Sequence, residues 1–237
     1  MSILYLVASP IGNLEDISFR ALKTLESVPV IFCEDTRVSQ KLLNHYQIKD
    51  KRLISFNQEN ERKREREILA LLDEGNDLAI LSDAGTPLIS DPGASIVKAI
   101  YQSAHQLISI PGASALTVAL SLCPFDTSRF TYEGFLPHGP KQRRRILKKL
   151  INEERAIVIF ESPHRIIKTL IDIENILPER EIFLARELSK KFESKYYGSA
   201  HTVRERLIEE FPKDILGEIV LLIGPKPCTE GNIDPTD

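Results

Sequence analysis

The chain has 237 residues, of which 42% are hydrophobic and 27% charged, and its formal net charge is −3. This composition supports a folded core of one large or two small domains, and it excludes a protein that binds nucleic acid with its whole surface, since such proteins are usually basic. Cys33, Cys123 and Cys228 are far apart and form no CxxC pair, which argues against a disulfide framework and against a zinc site. No basic stretch precedes the first apolar run and no run is long enough to span a membrane, so we expect a cytoplasmic protein without a bound metal or a membrane partner.

Short apolar strands alternate with helical segments through the first half of the chain. Alternation of this kind indicates an α/β fold with a mostly parallel sheet covered on both faces. The predicted strands are residues 3–8, 29–33, 52–56, 77–81 and 107–110, and the predicted helices are residues 18–27, 36–46, 60–73, 91–104 and 112–121.

The rhythm breaks at residues 123–128, where we place a domain boundary. Beyond it, two consecutive extended segments suggest a mixed, partly antiparallel sheet. The predicted domains are therefore residues 1–122 and 123–225, followed by a flexible tail at 226–237, where prolines and a glycine break the pattern. In the second domain the predicted strands are residues 130–135, 156–160, 181–187, 191–199 and 218–223, and the predicted helices are residues 141–152, 163–175 and 203–210.

Small residues, glycine and proline gather directly after several predicted strands, in residues 9–13, 82–93, 111–115 and 161–165. Open α/β sheets bind ligands at this edge, and small side chains let backbone groups approach a ligand closely. Helix capping is the alternative explanation, and it suits Asp91-Pro92 as a helix start. Capping does not require a loop as long as residues 82–93, so there we favour a ligand-binding role.

The sequence contains neither the GxGxxG dinucleotide fingerprint nor the GxxxxGK[ST] phosphate loop. Glu34 and Asp35 end the second strand, where a dinucleotide-binding protein would hold a ribose, but without the glycines they are weak evidence for NAD. A ligand held by backbone edges, small pockets and an acidic group fits an adenine, a ribose and an amino-acid tail.

Seven segments carry a specific resemblance, in the order LYLVASPIGNLEDISFRALKTL, FCEDTRVSQKLL, LSDAGTPLISDPG, IPGASALTVAL, YEGFLP, FESPHRI and GEIVLLIG. Together they closely resemble the small-subunit rRNA cytidine 2′-O-methyltransferases of the tetrapyrrole methylase superfamily, over about residues 3–224. The resemblance implies a two-domain α/β fold with S-adenosylmethionine in the cleft between the domains, a homodimer, and methylation of a cytidine ribose near the decoding centre of the small ribosomal subunit. Some members carry a longer C-terminal extension, so any RNA contact made by such an extension is expected to be absent or replaced here.

The resemblance also implies a cofactor site. It places Pro10 beside the cofactor, the loop after the fourth strand around its methionine part, and a serine-containing turn on its adenosine side. In that loop the usual Gly-Asp-Pro is replaced by Ser82-Asp83-Ala84. The implied cofactor-binding residues are Pro10, Asp83, Ala84, Gly85, Thr86, Ser114, Ala115 and, from the second domain, Phe160.

A ribose hydroxyl is a poor nucleophile, so a base or a cation should help it lose its proton. Glu34, Asp35 and Arg37 lie in a loop that the resemblance places facing the substrate, although an acidic helix start explains the two carboxylates equally well. Lys190 becomes a candidate base if burial or nearby cations depress its pKa. Weaker candidates with the same two readings are Asn57, Glu59, Asn60, Glu161, His164, Arg165 and Lys191.

A basic segment gives the clearest RNA signal, since no acidic residue occurs between Glu133 and Glu153. It predicts a helix that binds phosphates, with Arg37 as a separate contact. An ordinary exposed amphipathic helix is the alternative, and both readings can hold together. The predicted RNA-binding residues are Arg37, Lys141, Arg143, Arg144, Arg145 and Lys148, with Lys149 on the same helix.

Three other functions compete with rRNA methylation. A methylase of the same superfamily would act on a tetrapyrrole or on a modified protein side chain, which the RNA-type motifs and the basic helix disfavour. A ribosome assembly factor would keep the fold without turnover, and the intact cofactor loops argue against it. An NAD-dependent oxidoreductase is disfavoured by the missing glycine fingerprint.

Overall fold

The computed structural model describes residues 1–227, which form two compact units, Met1–Ala115 and the chain from Leu116 onward. The boundary predicted at residue 122 falls at the end of a helix, whereas the division by contacts falls at its start. Most of the tail predicted at 226–237, including Cys228, lies outside the described residues. In residues 1–227 no helix is both long and apolar enough to cross a membrane.

The first unit is a five-stranded parallel sheet with helices on both faces. The strand order is β3-β2-β4-β1-β5, and every neighbouring pair is parallel. The elements are β1 (Ile3–Val7), α1 (Phe19–Ser27), β2 (Val30–Cys33), α2 (Thr36–His45), β3 (Arg52–Ser55), α3 (Glu61–Asp73), β4 (Leu78–Leu81), α4 (Ala94–Tyr101) and β5 (Gln106–Ile110), with a short 3₁₀ turn at Leu14–Asp16.

Alternating side chains of this sheet build two hydrophobic cores. Ile31 and Leu81 face one core together with Leu25 of α1, whereas Phe32 and Ile80 face the other, which α3 and α4 complete. A strand that is buried on both faces reads as a continuous apolar run. That explains why VIFC and LAIL have no polar residue at all.

The second unit holds a mixed sheet in the order β6-β7-β10-β8-β9. Only β6 and β7 are parallel, and the other neighbours are antiparallel. Helices α6, α7 and α8 contribute Leu147, Leu170 and Leu207 to the core on one face of this sheet. The elements are α5 (Ala115–Leu122), which bridges the division, then β6 (Phe130–Phe135), α6 (Pro140–Lys149), β7 (Ala156–Glu161), α7 (Ile166–Ile176), β8 (Glu181–Arg186), β9 (Ser194–Ser199), α8 (Ala200–Glu210) and β10 (Ile219–Ile223).

The predicted fold class is confirmed, with a parallel first sheet and a mixed second sheet. The start of α4 was predicted wrongly, because the helix begins at Ala94 and its N-cap is Gly93, not Asp91. Gly93 has a φ of +124°, a conformation that an L side chain rarely adopts. Asp91 is thereby left in the loop, where its carboxylate does not cap the helix.

Arg180 organises the far end of the second sheet. Its guanidinium is buried and donates hydrogen bonds to four backbone carbonyls, those of Leu150, Ile151, Glu153 and Gly224. Burial lowers the pKa of Arg180 from its ordinary value, and Glu153 opposes that shift. One planar side chain therefore satisfies the carbonyls of the turn after α6 and the end of β10.

We expect Arg180→Lys to lower the free energy of unfolding by about 1–3 kcal/mol, because an ammonium group cannot reach all four carbonyls and buried acceptors lose their partners. Urea unfolding monitored by circular dichroism measures the change. Arg155→Lys is the control, since that guanidinium forms a surface pair with Glu153 and its loss should change the free energy of unfolding far less. Equal effects of the two substitutions would contradict this account of Arg180.

Candidate functional site

The carboxyl ends of all five strands of the first unit lie at one edge of its sheet, because the strands are parallel. The loop after β1 is joined there to the loop after β4 by a pair of backbone hydrogen bonds between Ser9 and Gly85, 2.9 and 3.1 Å long. The Ser82 hydroxyl donates to the Gly85 carbonyl at 2.6 Å. On the other side, Ala8 N–H donates to the carbonyl of Ile110 at 3.2 Å.

Two glycines allow these loops to approach one another so closely. A Cβ at Gly112 would lie 2.9 Å from the Cβ of Ala8, which is closer than such atoms come in proteins. Gly85 has a φ of +84°, and a Cβ there would lie 3.3 Å from Ile11 Cγ2. Both positions therefore require glycine, and the loops that the sequence predicted to bind the cofactor form one packed surface of backbone and small side chains.

The loop at residues 82–93 is held in an unusual conformation. Leu88 and Ser90 have positive φ values of 69° and 68°, which cost free energy for residues other than glycine. Its end is fixed by Glu61, whose Oε1 accepts from Gly93 N–H at 3.1 Å and from the Ser95 hydroxyl at 3.0 Å. This role of Glu61 leaves no local signal in the sequence, because its partners lie more than 30 residues away.

Three carboxylates, those of Glu34, Asp83 and Asp91, gather at this edge and influence one another electrostatically. Glu34 and Asp91 line a small crevice together with apolar side chains that include Phe56 and Leu88. Asp83 accepts the backbone N–H of Asp35 at 3.1 Å, so it also fixes the start of α2. The sequence assigned Asp91 to a helix cap, and the structure adds it to the site.

Burial and nearby negative charges raise the pKa values of all three acids. Burial, followed by the charges of Glu34 and Asp83, raises the pKa of Asp91 to about 6. Burial and the charges of Asp83 and Asp35 raise the pKa of Glu34. Burial also raises the pKa of Asp83, although its hydrogen bond from Asp35 N–H opposes that shift. An acid that titrates near neutral pH is well matched to taking up a proton.

Asp35 is different, and the structure argues against it as a base. It is the N-cap of α2, and its carboxylate accepts from both the backbone and the guanidinium of Arg37, with Nη2 2.6 Å from Oδ2. Hydrogen bonds from the side chain and backbone of Arg37 lower the pKa of Asp35 to about 2. So weak a base is poorly matched to accepting a hydroxyl proton at neutral pH, and the contacts of Asp35 favour the helix-cap explanation.

The ion pairs of Lys190 argue against it as a base. Its ammonium lies 2.9 Å from Glu187 Oε1 and 3.3 Å from Glu218 Oε2. Burial alone would lower the pKa of Lys190, but the hydrogen bonds and charges of the two glutamates outweigh it and raise the pKa. The depressed pKa that the base hypothesis required is therefore absent, and Lys190 is a charged residue within an ion-pair network.

The weaker candidates are engaged in local structure. Buried Glu161 accepts from Ser162 N–H, from Arg165 and from the Thr169 hydroxyl, which fixes the start of α7. Asn57 and Asn60 cap each other's backbone in the turn after β3, and Asn60 also donates to the Ser55 carbonyl. His164 is exposed. Across residues 1–227 no group of three or more His, Cys, Asp or Glu side chains is arranged to hold a metal ion.

In the second unit, the exposed face of α6 is a basic groove. It is lined by Pro140, Lys141, Arg144, Arg145, Lys148 and Lys149. Arg143 does not belong to it, and its predicted contact with RNA is corrected here. Its side chain is only 4% exposed and its Nε donates to Asp172 Oδ2 at 2.7 Å, on the same helix face as Leu147. Arg144 shares that carboxylate, but its side chain stays 58% exposed.

Phe160 lies in an aromatic cluster of the second unit. Its ring packs edge-on against Tyr132 at a centroid distance of 5.2 Å and against Phe135 at 5.8 Å. Among the predicted cofactor residues of the first unit, Pro10 and Gly85 are buried, while Asp83, Thr86, Ser114 and Ala115 are partly exposed and Ala84 is exposed. Their contacts with a cofactor stay predictions, as does the contact predicted for Phe160.

The parallel sheet with its packed, glycine-dependent edge, followed by a mixed sheet, is the tetrapyrrole methylase fold. The sequence profile of the tetrapyrrole (corrin/porphyrin) methylases matches residues 3–203, and the chain belongs to this family. It is 49% identical over 226 residues to "Ribosomal RNA small subunit methyltransferase I" of Thermotoga maritima. The alignment covers 95% of this chain and all of the relative.

Solved structures show the same fold at low sequence identity. Diphthine synthase superposes with a TM-score of 0.71 at 13% identity, covering 94% of this chain and 90% of that one. Uroporphyrin-III C-methyl transferase from Thermus thermophilus, complexed with S-adenyl homocysteine, superposes with a TM-score of 0.63 at 14% identity, covering 94% and 97%. The family predicted from the seven motifs is confirmed.

We expect Asp91→Asn to stabilise the protein at neutral pH. The pKa of Asp91 lies near its ordinary value of 3.8 in the unfolded chain and rises to about 6 on folding, so ionisation of Asp91 disfavours the folded state above pH 6. Between pH 4 and pH 6 the folded protein binds the proton more tightly, and wild-type stability falls as pH rises. Thermal unfolding should show a higher midpoint for Asp91→Asn at pH 7.5, and the difference should vanish near pH 4.

Asp35→Asn is the matched control, and its effect on stability at neutral pH should have the opposite sign. The pKa of Asp35 is lowered on folding, so its ionised form stabilises the fold above the ordinary pKa and this contribution is lost as pH falls toward 2. Asp35→Asn should therefore lower the midpoint at pH 7.5. If Asp91→Asn also lowers the thermal midpoint at pH 7.5, the Asp91 carboxylate is not destabilised by burial and by its neighbouring carboxylates.

Proposed function

We propose that this protein transfers the methyl group of S-adenosylmethionine to the ribose 2′-oxygen of a cytidine in small-subunit rRNA. The observation that carries the proposal is the acidic, glycine-built edge of the first sheet, in a chain that matches a small-subunit rRNA methyltransferase over that relative's whole length. The substrate is rRNA or the assembled small ribosomal subunit, which places the reaction in the cytoplasm. The resemblance further implies a homodimer.

The residues at this edge suit the cofactor. S-adenosylmethionine carries a sulfonium and an ammonium cation, and both are favoured by a cluster of carboxylates with raised pKa values. Asp83, Ala84, Gly85 and Thr86 would hold the methionine part beside Pro10, and Ser114 with Ala115 would lie at the adenosine. The missing Cβ atoms at Gly112 and Gly85 would let backbone groups approach the ligand closely. The cofactor supplies an activated methyl group with a good leaving group.

The protein's own task is then to align the acceptor hydroxyl and to take its proton. Glu34 and Asp91 are the acceptors that the structure favours, since they line the same crevice and neither is neutralised by a lysine or arginine among the ion pairs of the described chain. Asp91, with a pKa of about 6, is ionised at neutral pH and basic enough to share a proton in the transition state. No metal ion is required by this scheme.

The basic groove on α6 supplies the RNA contact. Lysine and arginine side chains along one exposed helix face neutralise backbone phosphates and position the RNA without reading its sequence. Lys141, Arg145 and Lys148 are exposed and take part in none of the ion pairs found in residues 1–227. Exposed Arg37, although paired with Asp35, is retained as a separate contact on the first unit.

We expect the purified protein to transfer label from methyl-labelled S-adenosylmethionine to small ribosomal subunits from cells that lack it. Nucleoside analysis after digestion should place the label in 2′-O-methylcytidine. Asp91→Asn should lower kcat by about 10²- to 10⁴-fold, because a general base is lost. Calorimetric titration with S-adenosylmethionine should still detect binding, weaker than that of the wild type because one carboxylate of the cluster is lost.

Asp214→Asn, an exposed aspartate of the second unit, is the matched control and should leave kcat unchanged. Label in a base carbon, or labelling of corrin intermediates instead of RNA, would contradict the proposed substrate. Cofactor binding without any turnover would favour the assembly-factor alternative. Tighter binding of NAD than of S-adenosylmethionine would support the oxidoreductase alternative.

Replacing both Lys141 and Arg145 by Gln should weaken binding to small subunits and flatten its salt dependence. Each lost phosphate contact reduces the slope of log K against log salt by about 0.7–0.9, so two contacts reduce it by about 1.4–1.8. Filter binding over a range of potassium chloride concentrations measures the slope. Arg143→Gln is the contrasting variant, because it breaks a buried pair with Asp172 and should lower the thermal midpoint. An unchanged slope for the double variant would remove α6 from the RNA-binding surface.

A further inference from the structure

The motif YEGFLP has no role in the proposed chemistry, yet it forms an unusual edge strand. It spans most of β6, which among residues 1–227 lies at the edge of the second sheet and pairs only with β7. The pairing register shifts between Tyr132 and Gly134, so Glu133 is an extra residue in a β-bulge, and Gly134 has a φ of +62°. Bulges of this kind re-aim the side chains that follow them, and they occur frequently beside functional sites.

The side chain that follows the bulge is Phe135, and it is exposed. It remains 57% exposed, although its ring packs edge-on against Phe160. Phe160 in turn packs against Tyr132, which leaves Phe135 at the outer end of a three-ring cluster. An exposed phenylalanine supported on one side by other rings presents a rigid apolar surface.

The next residues fix this ring relative to the basic groove. Leu136 is buried in the core with Leu147 of α6, and its carbonyl accepts from Arg165 Nη2 at 3.0 Å. Helix α6 begins at Pro140, so at most about 18 Å of extended chain separates Phe135 from the first turn of the basic helix. Phe135 therefore lies only a few residues before the lysine and arginine side chains of α6, which can bind phosphates.

We propose that Phe135 stacks on an unpaired nucleobase of the RNA substrate while the adjoining groove on α6 holds the backbone phosphates. This inference rests on the proposed function, because its ligand is the same RNA. Proteins recognise single-stranded RNA by pairing a positively charged groove with aromatic side chains on which unstacked bases lie. The sequence between residues 134 and 152 contains no acidic residue, so phosphates are not repelled along this segment.

Two other occupants fit an exposed ring, namely the adenine of the cofactor and a second copy of this chain. The charge around Phe135 favours RNA over both. Adenosine has no phosphate, and a second copy would bring its own basic helix toward this one if the contact were symmetrical. The experiment separates the three occupants.

The test compares Phe135→Leu, Phe135→Trp and Phe130→Leu in filter binding to small ribosomal subunits that lack the methyl group. Phe135→Leu keeps an apolar side chain but removes the stacking face, and it should weaken the Kd by about 5- to 150-fold. Phe135→Trp should retain wild-type affinity. Phe130, at the other end of β6 and 39% exposed, is the matched control and its replacement should have no effect.

A second readout distinguishes stacking from charge and from altered folding. Phe135→Leu should leave the salt slope, the thermal midpoint, the Kd for S-adenosylmethionine and the mass in light scattering unchanged. Unchanged RNA affinity overturns the proposal. A weaker Kd for S-adenosylmethionine assigns the ring to adenine, and a loss of dimer assigns it to a second copy. If the wild-type protein itself does not bind or label small subunits, the proposed function fails first and this inference fails with it.

Discussion

The close approach of the loop after β1 to its two neighbours is the constraint on which the site depends. The loop is bonded to Gly85 on one side and lies against Gly112 on the other, where no Cβ fits. Because β1 lies between β4 and β5, this contact aligns the three loops that carry the predicted cofactor residues. A larger residue at Gly112 would push Ala8 away and disturb all three at once. The short β1 strand thus acts through backbone geometry, not through a reactive side chain of its own.

The same edge has an electrostatic cost. Glu34, Asp83 and Asp91 repel one another, and burial keeps water from screening them fully. Their ionised forms destabilise the fold, whereas a bound cation would relieve the repulsion. Functional sites commonly accept such a cost in exchange for binding or catalysis. The loop at residues 82–93 also costs free energy, because two of its residues that are not glycine have positive φ values. Glu61 fixes the end of this loop through its hydrogen bond with Gly93.

The sequence predicted the α/β class, the parallel and mixed sheets and nearly every strand, because apolar runs and their separations encode these features locally. It misplaced the start of α4, since an Asp-Pro pair resembles a helix cap and a glycine at φ +124° leaves no local signal. The burial of Arg143 could have been predicted, because Arg143 precedes Leu147 by four residues and so shares its buried helix face. The ion pairs of Lys190 could not all have been predicted, because one of the two carboxylates, that of Glu218, is distant in sequence. Site residues depend on such long-range partners, which no pattern along the chain reveals.

The net charge of −3 is the sum over a chain that carries two surface regions of opposite charge. The first unit gathers carboxylates at the sheet edge, and the second unit gathers lysines and arginines on α6. An enzyme that takes a methyl group from a cation and delivers it to a polyanion needs both fields. The buried pair of Arg143 and Asp172 serves the basic surface indirectly, because it anchors α6 against α7 while the remaining cations face solvent. Total charge therefore argues only against a uniformly basic surface, and the local distribution of charge is what supports a protein that binds both a cationic cofactor and RNA.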